Sequence, residues 1–432
     1  MKSMCYKDGN TYRILYDNTA NNYLYKNHVI RFAKKYYQYD SNKGIWTETS
    51  LEEIQIDVAR FYEKYTNDKW TVKYKKEMLE KLRIKIQDTD RMDVSDSTVC
   101  LQNGVFDLET EIFGGFTEEY YFTKSLPVFY DENADCPKFR KFLNQVCCGN
   151  VQRRQTLEEF LGLALTKNIG PAKALVCKGT GANGKSVYCD MLCELLGSDN
   201  CTTISLKDLP GFGSAKIKGK RLAIMTEISK ETSKDLMTNE LKQLITGDRM
   251  SCNKKYSDIE DMKQFAKVLI LTNHPVGFTE DDSDGALRRL LFVPFDFQVP
   301  LEKRDTELEY KLKAEISGIF NLAVKGYSRL KSNSFVYSSD EESEGIKNSL
   351  LVSENPLRCF IKENILFSHG SSISYDVFKE YYKAWFKEKE VEAEAQDLDS
   401  KLIFSEVSKR FNGVEKRSSH GKRGIKHIKI KE

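Results

Sequence analysis

Residues 174–196 read ALVCKGTGANGKSVYCDMLCELL, and the reading of this stretch decides the fold. Ala174 to Cys177 is a short apolar run suited to a strand buried on both faces, and after Ser186 the residues Val187, Met191, Leu192 and Leu195 recur at helical spacing. Between them, Gly179-Thr180-Gly181-Ala182-Asn183-Gly184-Lys185-Ser186 is a complete G-x-x-x-x-G-K-[ST] loop in the strand-loop-helix setting that this motif requires. Its glycines let the backbone curl so that successive N–H groups and a helix N-terminus face an anion. Lys185 adds a point charge at the β and γ phosphates and Ser186 offers a hydroxyl to Mg²⁺, so the stretch predicts a site for ATP with Mg²⁺. Gly197 stands where a left-handed residue commonly ends a helix.

Three further apolar runs follow. Lys220 to Glu227 predicts a buried strand ending in an acid, and Glu227 would hold Mg²⁺ through water or polarise the attacking water. Lys267 to Asn273 predicts another, with the Asn273 amide placed to orient that water; an Asn that merely closes a strand into a turn is the plainer alternative. Leu290 to Phe295 predicts a fourth, preceded by Arg288 and Arg289. Arginine suits planar phosphate recognition across an interface, although a pair before a strand can also simply anchor a loop. The fold class expected is α/β, a P-loop ATPase core with a parallel sheet.

A chain of 432 residues predicts two to four domains. Hydrophobic content of 40% against 30% charged residues fits a soluble globular class, and no apolar run approaches the roughly 20 residues of a membrane span. MKSMCYKDGNTYR lacks a signal-peptide core, so a cytoplasmic protein with no membrane partner is expected. The eleven cysteines include no C-x-x-C pair and read as reduced thiols. The net charge of +3 announces no polyanion, but from Phe411 to Glu432 seven Lys and Arg stand against two acids.

Around the core, the sequence predicts an α+β region over residues 1–149. It contains a hairpin at Tyr36–Thr47, a capping box at Ser50–Glu53 opening a helix, and a basic helix near Val72–Ile86 whose charges read first as a solvated face. A second hairpin turns at Asn103-Gly104, and helical patterns run through Phe139–Val146 and Leu157–Leu165. The ATPase domain is expected over 150–335, closing with a helix at Ala314–Leu330. A linker is expected at Lys331–Ser343 and a basic module at 345–432.

The order GTGANGKS, AIMTE, ILTN and DGALRR resembles superfamily 3 helicases of the phage, plasmid and poxvirus primase-helicase branch. Leu241-Lys242-Gln243-Leu244-Ile245-Thr246-Gly247-Asp248-Arg249 resembles a further signature of that family that leads into a DNA-contacting hairpin. Leu101-Gln102-Asn103-Gly104-Val105-Phe106-Asp107-Leu108 and Cys136-Pro137-Lys138-Phe139 are similar to landmarks of its poxvirus-type N-terminal region. The resemblance implies an AAA+ ATPase assembled as a homo-oligomeric ring, a hexamer, that threads single-stranded or forked DNA, with a separate primase or polymerase as a possible partner. It also implies DNA contacts by Lys254 or Lys255 in the hairpin, where Asn253 departs from the expected basic residue. A winged-helix-like tail is implied as well, with Phe360, Ile361 and Ile365 in a first helix, Tyr375–Phe386 in a second and Leu402–Phe411 in a third. Its wing would present Lys416, Arg417, Lys422, Arg423 and Lys426 to phosphates. One of the paired arginines, Arg289 before Arg288, would act in the neighbouring subunit's site. Two functions fit this reading: an ATP-driven replicative DNA helicase of a phage, virus or mobile element, and an origin-binding initiator in which ATP switches assembly without unwinding.

Overall fold

The computed structural model describes residues 2–209, 214–226, 238–252, 260–274, 285, 287–300, 302, 304–389, 398–419 and 422–431. Its centre is a five-stranded parallel sheet of Ala174–Lys178, Cys201–Thr203, Leu222–Met225, Lys267–Thr272 and Leu290–Pro294. Numbered in chain order, the strands stand 2-3-4-1-5 across the sheet. The first strand is flanked by the fourth, with Leu175 opposite Leu269, and by the fifth, with Ala174 opposite Leu290. Four of these strands are near-continuous apolar runs because both faces are covered, with side chains of one strand alternating between two cores, while the edge strand Cys201–Thr203 is polar and partly exposed. Leu175 and Cys177 face the loop helix Lys185–Leu196, while Ala174 and Val176 face the layer that contains the helix Asn239–Thr246.

The helix Val151–Ala164 is capped by Asn150, whose side chain accepts from the Arg153 N–H at 3.0 Å. It packs on Ile316–Ser332 at very short range. A Cβ on Gly162 would lie 2.3 Å from the Ala323 carbonyl oxygen, and one on Gly326 would lie 2.1 Å from that of Glu158, so only glycine permits this approach. Packing continues across residue 150. The hairpin residues Val99 and Phe106 and the helix Pro137–Val146 share one core with the loop helix.

Earlier in the chain, the helices Tyr16–Asn27, Leu51–Tyr65 and Val72–Lys85 and a four-stranded sheet enclose a separate core. The capping box forms as expected, with the Glu53 N–H donating to Ser50 Oγ at 3.1 Å and the Ser50 N–H to Glu53 Oε2 at 2.8 Å.

The segment expected as a linker, Lys331–Ser343, is pinned along its second half. Tyr337 is buried, Ser338 donates from its N–H and hydroxyl to Glu159 at 2.9 and 2.7 Å, and the buried Asp340 carboxylate receives Arg153 at 3.1 Å. The next helix, Glu341–Glu354, sets Ile346, Leu350 and Leu351 against the sheet-side core and delivers Val352 into a C-terminal core. That last unit runs helix Pro356–Asn364, strand Ile365–Ser374, helices Tyr375–Glu388 and Ser400–Arg410, then strands Glu415–Ser419 and Lys422–Ile430. Its three strands are antiparallel, with Lys422–Ile430 in the middle. Ile365 starts this ten-residue strand and is not part of the first helix, as its sequence position had suggested.

Candidate nucleotide site

The phosphate loop leaves the C-terminal end of the first strand, the edge at which parallel sheets bind ligands. Its conformation requires its glycines. Gly181 and Gly184 have φ of 106° and 88°, and Gly184 heads the loop helix. A Cβ on Gly179 would lie 2.0 Å from Asn183 Nδ2 and 2.4 Å from the Phe295 carbonyl oxygen.

Lys185 is buried, and its ammonium donates to the Gly179 carbonyl at 2.8 Å and to Asn183 Oδ1 at 2.9 Å. Burial pushes its pKa below the usual lysine value, because the charged form is the one that loses solvation. Asn183 in turn donates from Nδ2 to the Phe295 carbonyl at 2.7 Å. Turning the amide over would set NH₂ against ammonium and oxygen against carbonyl, so both bonds fix one orientation. The segment after the fifth strand grips the loop at two further points. Gln298 Nε2 donates to Thr180 Oγ1 at 2.8 Å, and the Val299 N–H donates to the Ala182 carbonyl at 3.3 Å.

Over the loop lies a cavity of about 1200 Å³ that takes in Lys185, Ser186, Thr226 and Asn273. The loop and the expected strand tip Asn273 therefore meet at one place, with Thr226 beside them at the end of the third strand. Ser186 is exposed there, with its hydroxyl free of protein hydrogen bonds among the described residues. That hydroxyl and the Lys185 ammonium, both lining the cavity, fit a Mg²⁺–triphosphate donor set. Glu227, the other expected Mg²⁺ residue, lies outside the described residues, and so do Lys254 and Lys255. Sequence reasoning missed His274, which lines the cavity beside Asn273, and four rim cations, Lys138, Lys141, Arg304 and Lys311. Lys138 and Lys141 sit three apart on the helix Pro137–Val146, a spacing that could have marked a shared face.

Arg288 is exposed and Arg289 half-buried, with its Nη1 donating to the Gly285 carbonyl at 2.7 Å. Both precede the fifth strand, and the Arg289 carbonyl accepts from the Ala174 N–H at 2.8 Å. They thus stand at the opposite edge of the sheet from the chain's own loop, about 16 Å away along a five-residue strand. In the C-terminal unit, Lys426 is paired with Glu415 at 2.9 Å, Lys416 lies 4.9 Å from the centre of the Phe404 ring, and Arg417 bonds Ser372. Arg423 is exposed, and the Lys422 side chain is outside the described residues.

Residues 2–148 match the family described as "D5 N terminal like", and residues 177–289 match a family of unknown function, DUF5906. A protein of Invertebrate iridescent virus 3 named "Putative helicase 121R" is 22% identical over 259 residues, 56% of this chain. The chain spans only 27% of that relative's length. Two apo structures of the NrS-1 C-terminal region align over 95% of this chain and 98% of theirs, with TM-scores of 0.56 and 0.57 at 13% identity, which establishes a shared fold. Among the described residues, no helix is long and apolar enough to cross a membrane.

Proposed function

We propose that the chain is an ATP-hydrolysing replicative DNA helicase of a phage, virus or mobile element, of the AAA+ superfamily 3 type, working as a hexameric ring on single-stranded and forked DNA. The observation that carries this reading is the meeting of Lys185, Ser186, Thr226 and Asn273 around one cavity. The strand order 2-3-4-1-5 supports the AAA+ assignment, and the viral relative supports the helicase role.

In this reading the loop N–H groups and Lys185 bind the β and γ phosphates, and Asn273 orients the attacking water. Mg²⁺, held through Ser186 and Glu227, would supply charge neutralisation between the phosphates. Arg289, or else Arg288, reaches the neighbour's γ-phosphate, which is supported by the distance of both from their own loop. The C-terminal unit reads as a winged helix from its helix and strand order, with Arg423 the wing cation best placed for a phosphate. A separate primase or polymerase would complete the replication machinery.

The test is ATP hydrolysis with and without single-stranded DNA, followed by strand displacement on a fork. DNA-stimulated hydrolysis with displacement is expected. DNA binding and oligomerisation without displacement would replace the helicase by the initiator reading, and absence of hydrolysis would overturn both.

A further inference from the structure

At the N-terminal edge of the sheet, away from the nucleotide cavity, the chain gathers an unusual number of cations. Lys216, Lys218, Lys220 and Arg221 fall within six residues, and Lys124, Lys167 and Lys267 join them from other parts of the sequence. Two of these have a complete structural explanation. Arg221 and Lys267 are buried, and they donate to the Leu165 carbonyl at 2.5 Å and the Thr166 carbonyl at 2.6 Å. They therefore satisfy the end of the helix Val151–Ala164, where cations are favourable.

Lys124 and Lys220 are different. Both ammonium groups donate to one atom, the Asp199 carbonyl oxygen, each at 2.9 Å, and Lys124 also donates to the Gly219 carbonyl at 3.0 Å. Two like charges thus flank a single neutral acceptor, and neither forms an ion pair with a carboxylate among the described residues. Asp93 and Asp199 favour the Lys124 charge at a distance without pairing with it. Asp93 accepts from the Thr123 N–H at 2.9 Å and hydroxyl at 2.5 Å, and the exposed Asp199 contributes its backbone oxygen to the lysines. Burial, and next the Lys220 charge, push the Lys124 pKa down, so the arrangement costs free energy as it stands. Both residues are only half-buried, and each keeps at least one unused N–H.

We infer that Lys124 and Lys220 form a clamp for a backbone phosphate of single-stranded DNA, separate from the nucleotide cavity and from the C-terminal unit. A phosphate between the two ammonium groups would accept their spare donors and offset their repulsion. The nucleic-acid source is favoured by position. Lys267 opens the strand reached from the hairpin Arg249–Cys252 and Glu260–Lys263, and its N–H donates to the Arg221 carbonyl at 2.8 Å, so the cluster adjoins the base of that hairpin. The inference rests on the DNA-binding reading proposed above.

The test measures single-stranded DNA affinity against salt for the full chain and for Lys220→Gln, Lys124→Gln and the double variant. Glutamine keeps a donor for the Asp199 carbonyl and removes the charge. Because both lysines hold one phosphate, the double variant should lower the slope of log K against log salt by about 0.7, and each single change by less. Lys220→Arg, which keeps the charge, should keep the slope, and ATP hydrolysis without DNA should persist in all variants. A wild-type slope in the double variant overturns the clamp while leaving the DNA-binding reading intact. Failure of the wild-type chain to bind DNA overturns both. Pyrophosphate binding that is lost in the double variant, with the DNA slope unchanged, overturns the nucleic-acid assignment in favour of a free anion.

Discussion

Lys185 donates its ammonium to Asn183 Oδ1 at 2.9 Å, and that amide is itself fixed by the Phe295 carbonyl at 2.7 Å. Asn183 thereby holds the buried charge beside the loop with a neutral acceptor that a phosphate can displace.

Replacing that neutral acceptor by a charged one should weaken nucleotide binding. Asn183→Asp would set a carboxylate against Lys185, where phosphate must compete with it, and a second oxygen against the Phe295 carbonyl. The KM for ATP should rise about tenfold or more, equivalent to about 1.4 kcal/mol. Lys185→Ala should abolish turnover in a folded protein. A KM unchanged by Asn183→Asp, read alongside binding of a fluorescent ATP analogue, would show that the amide serves the loop's shape alone.

Arg289 can be tested by subunit mixing. Neither Arg289→Ala nor Lys185→Ala should hydrolyse ATP alone, since an arginine finger contributes roughly 10³ to 10⁵ in rate in GTPases. In mixed oligomers, the first variant's intact loop can meet the second variant's intact arginine. Part of the activity should then return and depend on protein concentration. Exchange of subunits without any return would remove Arg289 from this role and move the test to Arg288.

Asp340 gives the protein a specific acid sensitivity. Burial alone would raise its pKa, but the Arg153 guanidinium and the Ser343 hydrogen bonds outweigh this and hold the carboxyl below its usual range. A depressed carboxylate contributes stability that is present above its unfolded pKa of about 3.9 and lost as pH falls through the folded value. Asp340→Asn, which leaves Arg153 partly unpaired, should cost about 3 kcal/mol at pH 7. The gap between wild type and variant should narrow as the pH drops from about 5 toward 2. Denaturant unfolding at a series of pH values reads this directly, and a constant gap would contradict it.

In the C-terminal unit the cations should contribute unequally. Removing residues from about 413 onward would take out the central strand, including the buried Ile425 and Ile428, so truncation tests folding more than binding. Arg423→Ala leaves that core intact and should lower the salt slope of single-stranded DNA binding by about 0.7. Lys426→Ala should do less, because Lys426 is paired with Glu415. Equal effects in a salt titration would show that this ion pair opens on binding.

The parts of this architecture legible in the sequence were those built from neighbouring residues. Ala174–Lys178 and Lys267–Thr272 announce themselves because burial on both faces demands unbroken apolar runs, and the phosphate loop because its glycines cannot be replaced. Ile365–Ser374 was hidden because Ser368 to Ser372 reads as a loop, and the register of this outer strand does shift there. The anchoring of the expected linker was hidden for a different reason. Ser338 and Asp340 look solvated until their partners Glu159 and Arg153, far away in the chain, are brought beside them. The Lys124 and Lys220 pair has the same origin, since only the fold brings both to the Asp199 carbonyl.

The helix Glu341–Glu354 is tied down at its start by Arg153 on Asp340, rests along the arginine-led fifth strand through Ile346 and Leu350, and ends in the C-terminal core at Val352. Its 14 residues make a rigid arm about 21 Å long. One continuous helix thus spans from the arginine-led strand to the C-terminal core, so whatever holds Asp340 also fixes where Val352 is delivered.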